Sequence, residues 1–216
     1  MVAMSHPRPG AGRVALVITS AAAVLAASAG CSSVVAGRAI LAEPQIGQPA
    51  QWGPCRPGGG GGNALPIPSG AQCGKIAVPV NYDDAEAGTA TLALIRFPAT
   101  GDRIGSLIIN PGGPGESGIE AAAGIVEGMP ASVRQRFDLV GFDPRGVAAS
   151  TPALWCNSDA DNDRIRAEPQ VDYSPAGIEK IENETKQFIQ RCVDKMGTEF
   201  LANVGTASVA KDLDML

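Results

Sequence analysis

Residues 107–118 read LIINPGGPGESG, an apolar run that breaks into glycine and proline and then opens on the alanine-rich segment IEAAAGIVE. Leu and Ile suit a short buried strand, and Ala and Glu are good helix formers. Glycines between them permit backbone conformations that side chains forbid. A strand, a tight glycine turn and a helix in that order point to an α/β sheet. Gly113, Gly115 and Gly118 also fit G-x-G-x-x-G, the spacing of a dinucleotide-binding turn. Two readings of the loop are open from the residues themselves: a cradle for pyrophosphate, or a structural turn. Pro114 removes a donor that a phosphate cradle would use, which weighs against the first.

The neighbouring segments extend this pattern. Residues 74–82 (GKIAVPVNY) and 90–97 (ATLALIRF) read as strands, with Asp83, Asp84 and Gly88 favouring a turn between them. The run 106–110 (SLIIN) is expected to be a strand buried on both faces, followed by a helix over 119–127 and another buried strand over 137–142 (FDLVGF). Hairpin, strand, helix, strand predicts an α/β sheet with an antiparallel start. A long helix is expected over 175–196, with Pro175 in its first turn and Gly197 as its stop. Its apolar residues Ile178, Ile181, Phe188, Ile189, Cys192 and Met196 fall largely on one face, as for packing on a core. Thr206 is the expected N-cap of a last helix over 207–216.

The amino terminus has the form of an export signal. Arg8 and Arg13 precede a core of apolar and small residues from Val14 to Gly30. A retained membrane anchor is the alternative, but 17 such residues are borderline for a bilayer and no basic cluster follows directly. Two cleavage sites compete. Ala27-Ser28-Ala29 has the A-x-A form, whereas Ser28-Ala29-Gly30-Cys31 is similar to a lipobox in which Cys31 becomes the lipid-bearing terminus, although Ser28 departs from the usual aliphatic residue. Parity favours the lipoprotein. Lipidation of Cys31 leaves Cys55, Cys73, Cys156 and Cys192, an even set suited to an oxidising compartment, whereas ordinary cleavage leaves an odd thiol. Four cysteines permit three pairings, and Cys55–Cys73 with Cys156–Cys192 is the expected one because each encloses a local or irregular segment. Zinc is the weaker reading, since there is no C-x-x-C and no nearby histidine. The expected organisation is thus a signal over 1–30, a linker over 31–54 and a domain over 55–216. A formal net charge of -5 would repel phosphate backbones, which argues against nucleic acid as a partner.

Four segments in order resemble the secreted α/β-hydrolase peptidases of the tripeptidyl-aminopeptidase and prolyl-iminopeptidase type, their mycobacterial and actinobacterial members above all. They are Cys73–Tyr82 (CGKIAVPVNY), Asn110–Gly115 (NPGGPG) with Ser117 and Gly118, Phe137–Gly146 (FDLVGFDPRG) with Ser150-Thr-Pro152, and Val204-Gly-Thr with Ala210–Asp214. The resemblance implies the amino-terminal half of an α/β-hydrolase fold. It also implies that the Gly113 N–H is an oxyanion-hole donor, with Gly112 and Gly115 giving the loop its turn. Glu116, where the family more often has a small residue, reads as a solvated loop charge, with a substrate ammonium as the alternative. Asp143 and Arg145 are expected to brace neighbouring loops by hydrogen bonds.

The other half of such a site is not in this sequence. There is no G-x-S-x-G, and His6, inside the export segment, is the sole histidine. A serine without a base is a poor nucleophile at neutral pH. Nucleophile, acid and base are therefore all expected to lie outside the 216 residues, and the chain alone is expected to be inactive. The expectation is the amino-terminal part of an exported serine hydrolase, an exopeptidase rather than an esterase, that acts on peptide or ester through an acyl-enzyme. It would need no metal or organic cofactor and would be held to the membrane by the lipid on Cys31. The alternative is a non-catalytic envelope lipoprotein that keeps half a hydrolase fold.

Overall fold

A computed structural model describes residues 45–55, 66–168 and 172–216. The expected export signal over 1–30, Cys31 and most of the expected linker lie outside the described residues. Five strands form one sheet: β1 (Gly53–Pro54), β2 (Gln72–Asn81), β3 (Asp84–Phe97), β4 (Gly105–Ile109) and β5 (Phe137–Phe142), in the order β1-β2-β3-β5-β4. All neighbours are antiparallel except β4 and β5, which run parallel. The connection between these two carries α1 (Gly118–Ile125), a 3-10 turn (Val126–Gly128) and α2 (Ala131–Arg134). Parallel neighbours need such a crossover, because a tight turn cannot return the chain to the same end. The glycine loop 110–117 is the first part of it.

Period-two alternation sends side chains to two cores, one on each face of the sheet. Ile76, Val78, Val80, Ala90, Leu92, Leu94 and Phe142 gather with Phe200 on one face. Ile95, Phe97 and Leu139 gather with Ala122, Ala123 and Val126 on the other. The first face is covered by α5 (Thr198–Ala202) and α6 (Thr206–Asp214), through Phe200, Val209 and Leu213. The second is covered by α1. Each fully buried Leu, Ile or Phe here contributes about 1.5–3 kcal/mol relative to exposure.

Several features depart from the sequence reading, each for a local reason. The β2–β3 turn is only Tyr82-Asp83, because the Asn81 side chain accepts from the Asp83 amide and closes it (2.9 Å). Gly88, at φ +94°, lies instead in an irregularity of β3 where the register shifts. Strand β4 is half-buried rather than buried on both faces, since it has β5 on one side and no described strand on the other; Ile108 is 40% exposed. Thr206 is the first helical residue of α6, with Gly205 at the cap, so its hydroxyl caps nothing.

Another departure concerns α4 (Pro175–Met196), whose bounds match the expectation and whose Ser174 hydroxyl caps the Gly177 amide. Its apolar face is not covered by the described residues: Ile178, Ile181, Phe188 and Ile189 remain exposed, and Met196 is the α4 side chain that packs on the core. The Cys156–Cys192 disulfide and ion pairs such as Lys180–Glu168 hold the helix in place of core contacts. A further helix, α3 (Asp159–Ala167), was not anticipated. Ser158 and Asp161 form its capping box, an S-x-x-D pattern visible in the sequence. Among the described residues no helix is long and apolar enough to cross a membrane.

Candidate oxyanion-loop site

The loop between β4 and α1 is exposed from Asn110 to Glu116. Gly112, Gly113 and Gly115 adopt φ values of +94°, +111° and +95°, a region side chains rarely enter. A Cβ at Gly113 would also press on the Glu116 side chain and on the Gly115 and Glu116 amides, about as close as 3.1 Å. The loop has one internal backbone hydrogen bond, from the Glu116 amide to the Gly112 carbonyl (3.3 Å). The amides of Gly112, Gly113 and Gly115 donate to no described residue. The three glycines are thus brought together on one exposed turn with donors available to an external acceptor.

The third glycine of the fingerprint has a different task. A Cβ on Gly118 would collide with the Phe142 carbonyl, and one on Gly141 with the Gly118 carbonyl. Two facing glycines therefore let the amino-terminal end of α1 rest directly on the β5 backbone. Ser117 is the N-cap of α1 and accepts from the Glu120 amide (3.1 Å). Its hydroxyl donates to Asp143 Oδ1 (2.5 Å), which also accepts from the Ile119 amide (3.3 Å). Asp143 Oδ2 accepts from the Ala149 amide (3.0 Å). Ser117-x-x-Glu120 is the capping-box spacing, a signal in the sequence that could have singled out Ser117.

Arg145 braces a second junction, its side chain fully buried. Its guanidinium forks onto both oxygens of Asp212 (2.8 and 2.5 Å) and donates to the carbonyls of Pro79, Val80 and Asn203. Tyr82 donates to Asp212 Oδ1 (2.8 Å). Burial first, and then the Asp212 carboxylate beside it, push the Tyr82 phenol well above its ordinary range. One cation thus ties the β2 end, the loop after β5 and α6 together. Asp212 was not singled out as its partner, because nothing in the local sequence links positions 67 residues apart.

Cys55 pairs with Cys73 and Cys156 with Cys192, at S–S distances of 2.10 and 2.04 Å. Such bonds fit an oxidising, extracytoplasmic compartment. Among the described residues no group of His, Cys, Asp and Glu could hold a metal ion, and none contains histidine. The proposed lipidation site Cys31 lies outside the described residues.

No protein-family model matches the chain. Serine protease Hip1 of Mycobacterium tuberculosis is 64% identical over 204 residues, 94% of this chain. Tripeptidyl aminopeptidase of Streptomyces lividans is 33% identical over 155 residues, 69% of this chain. This chain is a homologue of the tripeptidyl-aminopeptidase-like serine hydrolases. Carboxylesterase B of M. tuberculosis is 52% identical over 147 residues, 68% of this chain. The chain spans 39% of the length of the first of these relatives and 28% of the other two. A mixed sheet with helices on both faces is what a partial α/β-hydrolase fold requires.

Proposed function

We propose that the chain supplies the oxyanion-hole part of an exported serine hydrolase, an exopeptidase of the tripeptidyl or prolyl aminopeptidase type. The observation that carries this reading is the exposed Gly113 amide, which donates to no described residue, on a turn whose φ values side chains rarely adopt. In the complete enzyme a serine would attack the substrate carbonyl, and the electron pair pushed onto oxygen would need donors at once. A preformed N–H at Gly113 supplies one, worth about 3–4 kcal/mol in the transition state. Collapse of the tetrahedral species would expel the amine and leave an acyl-enzyme for water to cleave. Peptide is the preferred substrate and ester the lesser one, supported by the greater identity to the relative named a serine protease (64%) than to the one named a carboxylesterase (52%).

The serine, acid and histidine must come from polypeptide other than these 216 residues. Residues 32–216 alone should neither hydrolyse p-nitrophenyl esters or aminoacyl substrates nor react with a fluorophosphonate. A second reading, a non-catalytic envelope lipoprotein, is favoured by the single histidine at position 6. The reading frame beyond codon 216 separates the two. A continuing frame with G-x-S-x-G and later Asp and His supports the enzyme, and a product that stays unlabelled by fluorophosphonate supports the lipoprotein.

Export through residues 1–30 and lipid attachment at Cys31 complete the proposal, with the even cysteine set as support. Mass spectrometry of the mature amino terminus is expected to find a diacylated Cys31. An unmodified terminus at Gly30 would instead indicate ordinary cleavage and release.

A further inference from the structure

Three positive-φ glycines in an exposed loop carry high conformational entropy, and one internal hydrogen bond is little to order them. Something outside the loop must hold its shape. The upstream end is fixed by β4, where Ile109 pairs with Gly141. The downstream end is Ser117.

We infer that Asp143 is the positioning residue of the glycine loop, acting through the Ser117 hydroxyl to fix the direction of the Gly113 amide. The inference rests on the proposed oxyanion role for its purpose, but its geometry stands apart from it. Asp143 is 0% exposed and its main chain is pinned to β3. Its amide donates to the Ala93 carbonyl (3.0 Å), and its carbonyl accepts from the Ser150 hydroxyl (2.6 Å). That hydroxyl accepts in turn from the Ala93 amide (3.0 Å). The carboxylate is therefore a fixed point. It reaches α1 at the residue where the loop becomes helix, and its charge favours the helix amino terminus.

The Gly118–Gly141 contact sets how far α1 stands from β5, so the carboxylate and the Ser117 hydroxyl meet at a set distance. Charge-assisted hydrogen bonds of this kind are the stronger ones. Asparagine cannot replace Asp143 here. An Asn would turn an NH2 toward one of the amides of Ile119 or Ala149, or toward the Ser117 hydroxyl, so one accepting oxygen is lost.

The test uses the full 216-residue chain, 15N-labelled, as wild type, Ser117→Gly, Ser117→Thr and Asp143→Asn. Glycine is a tolerable N-cap, so Ser117→Gly removes the link to Asp143 while α1 survives. The amides of Gly112, Gly113, Gly115 and Glu116 are followed by line shape and hydrogen exchange, with Leu92–Phe97 as the internal reference. Ser117→Gly and Asp143→Asn are expected to broaden or split the loop resonances and to speed Glu116 exchange by about tenfold or more. Ser117→Thr should restore the wild-type pattern, and the reference amides should not move. Loop resonances unchanged in Ser117→Gly would overturn the inference, as would a change that Ser117→Thr does not reverse. Failure of the hydrolase reading would show separately, as no fluorophosphonate labelling of the complete protein while the loop still responded to Ser117.

Discussion

At the scale of single residues the loop depends on what is missing from its side chains. Gly113→Ala adds a Cβ to a backbone at φ +111° and against Glu116. In the complete enzyme it is expected to lower kcat by about a hundredfold to a thousandfold with little change in KM, as for loss of one oxyanion donor. Steady-state kinetics on a peptide substrate checks this, and an unchanged kcat would remove Gly113 from the site. The Arg145–Asp212 pair belongs to stability instead. Arg145→Met leaves the buried Asp212 carboxylate without its cation, with only the Tyr82 hydroxyl donating to it, and removes the guanidinium donor from three carbonyls; it is expected to cost about 3–5 kcal/mol in urea unfolding. The glycines were legible in the sequence because side chains rarely adopt the φ values of that turn. The acceptor on Ser117 was only half legible: Asp143 was expected to brace a loop, but which loop depended on a contact across 26 residues.

At the scale of elements, sequence served best where a local rule decides the outcome. Pro175, the Ser174 cap and Gly197 set α4 to its observed bounds. Burial of its face was misjudged because amphipathic spacing says which side is apolar, not what covers it. The disulfide is thus the main tie of α4, and the Cys156–Cys192 loop of 36 residues should contribute about 4 kcal/mol in the chain-entropy model. A Cys156→Ala, Cys192→Ala double variant is expected to lose roughly 3–4 kcal/mol by chemical denaturation, with α4 exchanging before the sheet.

Helix α3 carries a pH dependence of stated sign. The Ser158 hydroxyl first, and its amide second, hold the Asp161 carboxyl below the usual carboxylate range. Lys180 does the same for Glu168, which Arg164 also contacts. Groups whose folded pKa is depressed contribute stability that is full above the unfolded value and fades as pH falls through the folded one. Exchange protection of the α3 amides should therefore hold from neutral pH down to about pH 4 and decline below it. Protection that rises on acidification would contradict this assignment.

At the scale of the whole molecule, a mixed sheet with an antiparallel start was legible from the order hairpin, strand, helix, strand. The half-exposure of β4 was not legible, because an all-apolar run reads as doubly buried whether or not a neighbour exists. Ile104 and Ile108 are 59% and 40% exposed beside the edge that β4 forms in the described sheet. An open apolar edge invites pairing with another chain. The 216-residue chain is expected to self-associate with rising concentration in light scattering, and Ile108→Lys to reduce it.

The most direct measurement is a crystal structure of the product of the whole reading frame after reaction with a fluorophosphonate. The predicted result is a phosphonyl oxygen about 2.7–3.1 Å from the Gly113 amide nitrogen, the distance an oxyanion donor requires. A protein that does not react, or a phosphonyl oxygen held elsewhere with the Gly113 N–H turned away, would contradict the oxyanion assignment.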